Sequence, residues 1–349
     1  MQELTERQKI ILSLVVHEHS KTALPVGSKD LAKALVEDYH LKKIDPSTVR
    51  YELVALTQMG YLRQPHISAG RVPTEEGYRY FVGRLLQETE LPESTRRTIS
   101  HQFYQMRHDV DQWMRLTASV LASQSRAASL VTAPHPELAH FKHLELISTR
   151  GRQALMVLVL VGGEIHQRIL TLSEYVPQSD LSIIANHLTA VYEGKDIDAT
   201  RAGRTAHEGL ELEILDWVID EMNETASAAA GEVYLDGLAN VLAQPEFTGS
   251  EEARRAVHVL EERTILQDLV GRSLATSSTG GVQVLIGGEG AWSELRPFSV
   301  VLARYGTPGL ITGTLGVLGP IRMSYGRSIS AVRFLAGLLS DLVSDTLIN

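Results

Sequence analysis

The stretch Gly60–Phe81, GYLRQPHISAGRVPTEEGYRYF, decides how the chain is read. It follows a segment, Asp45–Met59, that opens on Asp-Pro-Ser-Thr and carries Arg50. Asp45 is a good helix cap, and Pro46 stands at the first helical position, where its missing N–H costs nothing. Two short extended runs, Gly60–His66 and Arg71–Pro73, flank the turn Ile67-Ser68-Ala69-Gly70. A helix followed by a small hairpin with a polar, basic tip is the layout of a winged helix-turn-helix. The helix suits a DNA major groove, and the hairpin tip suits the adjacent backbone or minor groove.

The flanking sequence completes such a head. Thr5 caps a first helix, with Gln8 at the capping-box position and Ile10, Ile11, Leu14 and Val15 as its apolar face. Leu24-Pro25-Val26-Gly27 breaks the chain, and Ser28 caps a second helix with Leu31 and Leu35 turned inward. On the third helix Val49, Leu53 and Leu56 fall on one face, so Ser47, Thr48, Arg50 and Tyr51 project away from the core. Thr74 starts a further helix through about Leu86, and the polar stretch Glu88–Glu93 marks a boundary.

Beyond it, Pro92–Ser129 reads as one long helix. Ile99, Phe103, Met106, Val110, Trp113, Thr117 and Val120 form a heptad-like stripe, suited to packing on the body or to a coiled coil. Ala154–Val161 and Glu164–Leu172 read as strands joined by a Gly162-Gly163 turn, followed by a helix over Ser179–Tyr192. Gly231–Phe247 mixes a strand and a helix, Gly281–Gly287 and Phe298–Tyr305 are strands, and Ser328–Leu347 is a closing helix. The fold class is α+β. The run Gly313–Tyr325, rich in glycine and holding Pro320, reads as a tight structural turn.

Bulk properties set limits. At 349 residues the chain holds two or three domains, and 44% hydrophobic with 21% charged residues is ordinary for a globular protein. No cysteine is present, which excludes disulfides and thiolate metal sites. The N-terminus is polar and unlike a secretory signal. The longest apolar run, Ala154–Val161, is too short for a membrane span, so no membrane association and a cytoplasmic location are expected. The net charge is −9, yet residues 1–86 hold 12 Lys and Arg against 10 Asp and Glu, and the remainder holds 21 against 32. A slightly basic head on an acidic body confines DNA attraction to one end.

Candidate DNA contacts follow from the pattern. Arg50 suits a guanine edge, or it pairs on the surface with Glu52 or Asp38. Ser47, Thr48 and Tyr51 share its face. In the wing, Ser68-Ala69-Gly70 is small enough for a tight tip, with Gly70 free to take a positive φ. His66 and Arg71 flank it. Arg71 suits a phosphate or a narrow minor groove, or it pairs with Glu75 or Glu76. Lys29, just past Ser28, is placed for a phosphate or for solvent. Tyr61 and Tyr78 read as core.

Other chemistry is not expected. Gly287-Gly288-Glu289-Gly290 is followed by no Lys-Ser/Thr and fits neither phosphate-binding fingerprint. His17/His19 and His135/His140/His143 lack ligand spacing with carboxylates, so neither a metal site nor a cofactor is expected. No nucleophile–base motif appears, which argues against an enzyme.

Several blocks together resemble the family of heat-inducible transcription repressors HrcA. They are Pro25-Val26-Gly27-Ser28-Lys29, the run Gln64–Thr74, Gly77-Tyr78-Arg79-Tyr80-Phe81, Tyr234–Leu238 through Gln244–Phe247, and Gly316–Tyr325. The resemblance implies a winged-helix head over residues 1–87, then a GAF-like α+β domain in two parts, 88–194 with the linker helix and 263–349. It also implies a mostly helical dimerisation domain inserted at 195–262. It further implies a homodimer on an inverted-repeat operator of the CIRCE type upstream of chaperone operons, released on heat stress and modulated by a GroEL-type chaperonin. Tyr51 stands where the family usually has Asn, and Thr57-Gln58 where acidic residues are common. The rival readings are a metabolite-sensing repressor using the body as a ligand pocket, an enzyme fused to a DNA-binding head, and a scaffold whose head binds no DNA.

Overall fold

The computed structural model describes residues 4–37, 45–87, 89–106, 109–136, 140–161, 164–227, 233–249, 251, 254–255, 257–258, 262, 281–287, 295–308 and 310–348. The chain divides into two compact units. The first takes in Met1–Thr132, Val233–Tyr305 and Thr314–Leu339. The second takes in Ala133–Glu232, Gly306–Gly313 and Ser340–Asn349.

The first unit begins with α1 (Glu6–Thr22), α2 (Ser28–Glu37) and α3 (Pro46–Gln58). The Thr5 hydroxyl accepts from Gln8 N–H, and Gln8 Oε1 accepts from Thr5 N–H, so the expected capping box is present. α2 begins at Ser28 itself, and Gly27 precedes it as the cap, one residue earlier than expected; Leu31 N–H closes the first turn on Gly27 C=O. Ile11, Leu12 and Val15 of α1, Leu31 and Leu35 of α2, and Val49, Leu53 and Leu56 of α3 are buried together. A buried polar contact crosses this core: Gln8 Nε2 donates to Glu52 Oε2 at 3.0 Å.

The wing strands are β1 (Leu62–Arg63) and β2 (Val72–Pro73), antiparallel, with Leu62 opposite Pro73 and Arg63 opposite Val72. The paired part is shorter than the extended runs expected from the sequence. A further backbone bridge joins Arg71 to Val26, ahead of α2. The Thr74 hydroxyl caps α4 (Glu75–Tyr80), which passes into a π-helical turn over Phe81–Leu85. Tyr61 and Tyr78 are both buried, as core residues should be.

Residues 92–129 do not form one helix. α5 (Glu93–Gln105) ends near Met106, and Asp109 caps α6 (Val110–Ser125) by accepting from Gln112 N–H. The Trp113 indole N–H donates to Met106 C=O at 2.8 Å and pins the corner. A capping Asp inside a periodic stripe is the physical reason for the break, since the stripe alone does not report where hydrogen bonding is interrupted. After α6 come β3 (Ala128–Thr132) and, farther along, β8 (Val233–Asp236), α10 (Leu238–Leu242), β9 (Val282–Ile286), β10 (Phe298–Thr307) and β11 (Ile311–Pro320). The sheet order is β8-β3-β11-β10-β9, with the β8–β3, β3–β11 and β10–β9 pairs antiparallel. α11 (Tyr325–Val343) closes this unit's chain, running past its last residue, Leu339.

β10 and β11 are buried on both faces. On one face Tyr305 reaches Met114 of α6 and donates its hydroxyl to Thr132 C=O at 2.6 Å. On the other, Phe298 stacks on Phe247 with ring centroids 5.0 Å apart. The run Gly313–Tyr325 is therefore largely a core strand and not a turn. Glycine serves close approach here: a Cβ on Gly316 would lie 2.4 Å from Val301 O and from Leu302 Cδ2. Just past β11, Arg322 is buried. It makes a two-pronged contact with Glu246, and donates from Nη2 to Gln244 Oε1 at 2.8 Å and from Nη1 to Ser20 C=O at 3.0 Å.

The second unit holds β4 (His135–Pro136), β5 (Phe141–Ser148), β6 (Gln153–Leu160), β7 (Ile165–Thr171), α7 (Gln178–Tyr192), α8 (Ile197–Ala202) and α9 (Gly209–Ser227). β5, β6 and β7 form an antiparallel meander. The expected hairpin of β6 and β7 is present, and its Gly162-Gly163 turn lies outside the described residues. One face carries Leu144, Leu146, Met156 and Leu158 against Leu181 and Leu188 of α7 and Ile214 and Val218 of α9. On the opposite face Ile147, Leu155 and Ile169 stand in one cross-strand row, and His143, Val159 and Ile165 in another. Ile147, Ile165 and Ile169 are exposed. The segment 195–262, expected as an insertion, is shared out: residues 195–232 fall in this unit with β5–β7 and α7, and 233–262 in the first. Among the described residues, no helix is long and apolar enough to cross a membrane.

The tight packing of β11 sets a measurable expectation. Gly316→Ala forces a methyl group against backbone oxygen, so urea unfolding should show a loss of about 1–3 kcal/mol.

Candidate nucleic-acid interface

α3 is presented by its cap. Asp45 accepts from Ser47 N–H at 2.8 Å. That backbone hydrogen bond, with a second from the Ser47 side chain, holds the Asp45 carboxyl below its ordinary range. The residues facing the core fix the rotation of α3. With Val49, Glu52, Leu53 and Leu56 inward, Ser47, Arg50 and Tyr51 are exposed, and Tyr51 retains 74% of its accessible surface. Thr48 is only half-exposed, so it stands at the edge of this face. Glu52 is engaged by Gln8, with Arg7 at 3.5 Å, and is not a partner for Arg50. Asp38, the other carboxylate weighed for Arg50, lies outside the described residues.

The wing is held by backbone contacts. Val26 N–H donates to Arg71 C=O, and Arg71 N–H donates back to Val26 C=O, both at 2.9 Å. At its tip Ala69 N–H donates to His66 C=O at 2.9 Å, and the Gln64 amide donates to Ile67 C=O and Ala69 C=O. Gly70 is required by proximity and not by a positive φ: a Cβ there would lie 2.3 Å from Val26 O. His66, Ile67 and Ser68 are exposed.

Arg71 is placed by a neutral partner. Its Nε donates to Thr57 Oγ1 at 2.9 Å. Glu75 and Glu76, weighed as its partners, pair with Arg79 instead. A hydroxyl orients the guanidinium without cancelling its charge, which an acidic side chain at position 57 would do.

The start of α2, the outer face of α3 and the wing enclose a cleft of about 600 Å³. Lys29, Arg50, Ser68, Gly70 and Arg71 line it, with Gln64 and one carboxylate, Asp30. Ser47, Thr48, Tyr51 and His66 do not. Tyr51 and Ser47 lie on the exposed face of α3, and His66 stands in the exposed wing loop. Among the described residues, Lys29, Arg50 and Arg71 form no ion pair, which leaves three cations directed at one groove. Such a surface fits a polyanion whose phosphates are matched by cations and whose base edges are met by a helix.

Two residues escaped the sequence reading. Gln64 is the clasp of the wing, and its signal was an amide placed between the two short strands. Ile67 is fully exposed at the tip. Its signal was an apolar residue inside a turn, a position from which it cannot reach a core.

The head is three helices and a short antiparallel hairpin around a basic cleft. Residues 111–329 match the family model described as the HrcA protein C-terminal domain. The chain is 43% identical to the heat-inducible transcription repressor HrcA of Roseiflexus castenholzii, covering 98% of this chain and 95% of that one. It is 39% identical to that of Thermomicrobium roseum, covering 98% and 96%, and 34% identical to that of Dehalococcoides mccartyi, also covering 98% and 96%. The fold is similar to the crystal structure of a hypothetical protein with TM-score 0.59 and 20% identity, covering 99% of this chain and 100% of that one. The chain belongs to the heat-inducible transcription repressor HrcA family, a family of transcriptional repressors and not of enzymes.

A base-edge contact by Arg50 and a phosphate contact by Arg71 would give separable readouts. Arg50→Ala should cost about 1–3 kcal/mol of discrimination between specific and scrambled DNA. Arg71→Ala should weaken both and reduce the slope of log affinity against log salt by about 1. Fluorescence anisotropy across a salt series measures both quantities.

Proposed function

We propose that this protein is a homodimeric repressor of heat-shock chaperone operons that binds an inverted-repeat operator of the CIRCE type and releases it on heat stress. The observation that carries the reading is the cleft in which Lys29, Arg50 and Arg71 converge between α3 and the wing. In this reading α3 enters the major groove, with Arg50, Ser47 and Tyr51 toward base edges and Thr48 at the margin. Lys29, Arg71, His66, Ser68 and the Gly70 backbone meet phosphates or the neighbouring minor groove. A twofold dimer would present two α3 helices to successive major grooves, as an inverted repeat requires.

The exposed apolar face of the β5–β7 sheet supports self-association. Its rows of Ile147, Leu155 and Ile169, and of Val159 and Ile165, are a surface that a second copy would cover. In this reading dimerisation belongs to the unit that contains residues 140–227, which takes in the first part of the insertion expected at 195–262. A GroEL-type chaperonin modulates the repressor in this reading, which draws that partner and the GAF-like character of the body from the family resemblance, and the cytoplasmic location from a sequence without a secretory signal or a membrane-length apolar run.

The test is titration of a fluorescent inverted repeat against a scrambled repeat at fixed salt. We expect tight, repeat-specific binding that falls through the stress range and recovers on addition of chaperonin with ATP. Equal and weak binding to both DNAs at all temperatures would overturn the operator assignment. For the dimer, Ile169→Glu should shift sedimentation toward a monomer and sharply weaken binding to the full repeat, with far-ultraviolet circular dichroism unchanged. An unaltered dimer would place the interface elsewhere.

A further inference from the structure

Within the second unit, two histidines and a glutamate from distant parts of the sequence meet. His187 lies on α7, His207 precedes α9, and Glu211 is in the first turn of α9. One ligand atom from each lies within 4.8 Å of the other two. His187 Nδ1 bonds to Glu211 Oε1, and His207 Nδ1 stands 3.2 Å from Glu211 Oε2. The His207 Nε2 is 2.8 Å from the Tyr192 hydroxyl.

His207 is the telling member. It is only 6% exposed, yet its Nδ1 has no aligned hydrogen bond, although a carboxylate oxygen is at contact distance. A neutral imidazole carries one N–H and one lone pair. In the tautomer that gives Nε2–H to Tyr192, the Nδ1 lone pair faces the Glu211 carboxylate, and two electron-rich atoms are left in contact. A buried polar atom in that state calls for a positive group between the two. The 3.2 Å separation matches the edge of roughly 3.3–3.4 Å of a tetrahedron with metal–ligand bonds of about 2.0–2.1 Å.

We propose that His187, His207 and Glu211 form a binding site for a divalent transition-metal ion of zinc type, with Tyr192 as the outer partner that sets the His207 tautomer. Two imidazoles and a carboxylate suit zinc and its neighbours and disfavour calcium and magnesium. Imidazole ligands commonly give their other nitrogen to such an outer partner, and the Tyr192 hydroxyl stands in that place beside His207 Nε2. The His187 side chain is half-exposed, so the remaining coordination position opens to water and the ion exchanges with solvent. The bound ion ties α7 to the start of α9. This departs from the expectation of no metal site, which weighed only histidines close together in the sequence.

The experiment uses the full chain, stripped with chelator and titrated with zinc chloride by calorimetry, with thermal unfolding followed in parallel. We expect one ion per chain at the tight step and a higher unfolding temperature when loaded. His187→Gln, at an exposed position that leaves the core intact, should weaken that step at least tenfold, and Glu211→Gln likewise. His143→Ala should leave it unchanged, and excess calcium should not compete. Zinc binding that persists in both His187→Gln and Glu211→Gln, or the absence of any tight step in the parent protein, would overturn the proposal and leave a hydrogen-bonded polar cluster.

Discussion

The paired hydrogen bonds between Val26 and Arg71 organise the basic cleft. They fix the wing to the connection ahead of α2, and so set the spacing of Lys29, Arg50 and Arg71 around one cleft. The contact exists because Gly70 has no side chain and lets the two backbones approach. Backbone bonds cannot be supplied by rotating a side chain into place, so the wing's position is built in before any ligand arrives. Preorganised cations lose little freedom on binding, and the recognition surface then depends on geometry more than on net charge.

An acidic chain thus carries a basic cleft. The overall charge of −9 acts at long range and is screened within about 8 Å at physiological salt. Inside the cleft three cations face one carboxylate, Asp30. The acidic residues closest in sequence are occupied elsewhere: Glu52 by Gln8 and Arg7, Glu75 and Glu76 by Arg79. The charge balance at the surface is thus decided by which carboxylates already have partners.

Much of the head was legible in the sequence because its signals are local. Thr5 with Gln8, Asp45 with Pro46, and Thr74 each mark a helix start through chemistry within a few residues, and the apolar spacing of Val49, Leu53 and Leu56 sets the rotation of α3. The body was less legible where packing decides. Gly316 reads as a turn residue when only neighbours along the chain are considered, and its role in a buried strand appears only beside Val301 and Leu302. The break at Asp109 was hidden by a stripe that continues across it in register. In the candidate site Arg50, Arg71, Lys29, Ser68 and Gly70 line one cleft. Thr57 as the partner of Arg71, Gln64 as the clasp and Ile67 at the tip depend on contacts across the hairpin or on shape. The meeting of His187, His207 and Glu211 depends on two helices packing, which no spacing in the sequence reports.

Arg322 has a consequence of a different kind. Its buried guanidinium joins the last turns of α1, through Ser20 C=O, to Gln244 and Glu246 beside Phe247. Removing one partner of a buried charge leaves the other stranded, at a cost of about 3–5 kcal/mol. The three segments therefore resist separating one at a time and behave as a single cooperative unit. The first helix of the head and the turn that covers β10 are thus joined through one buried charge, which couples the order of the basic cleft to the integrity of the sheet.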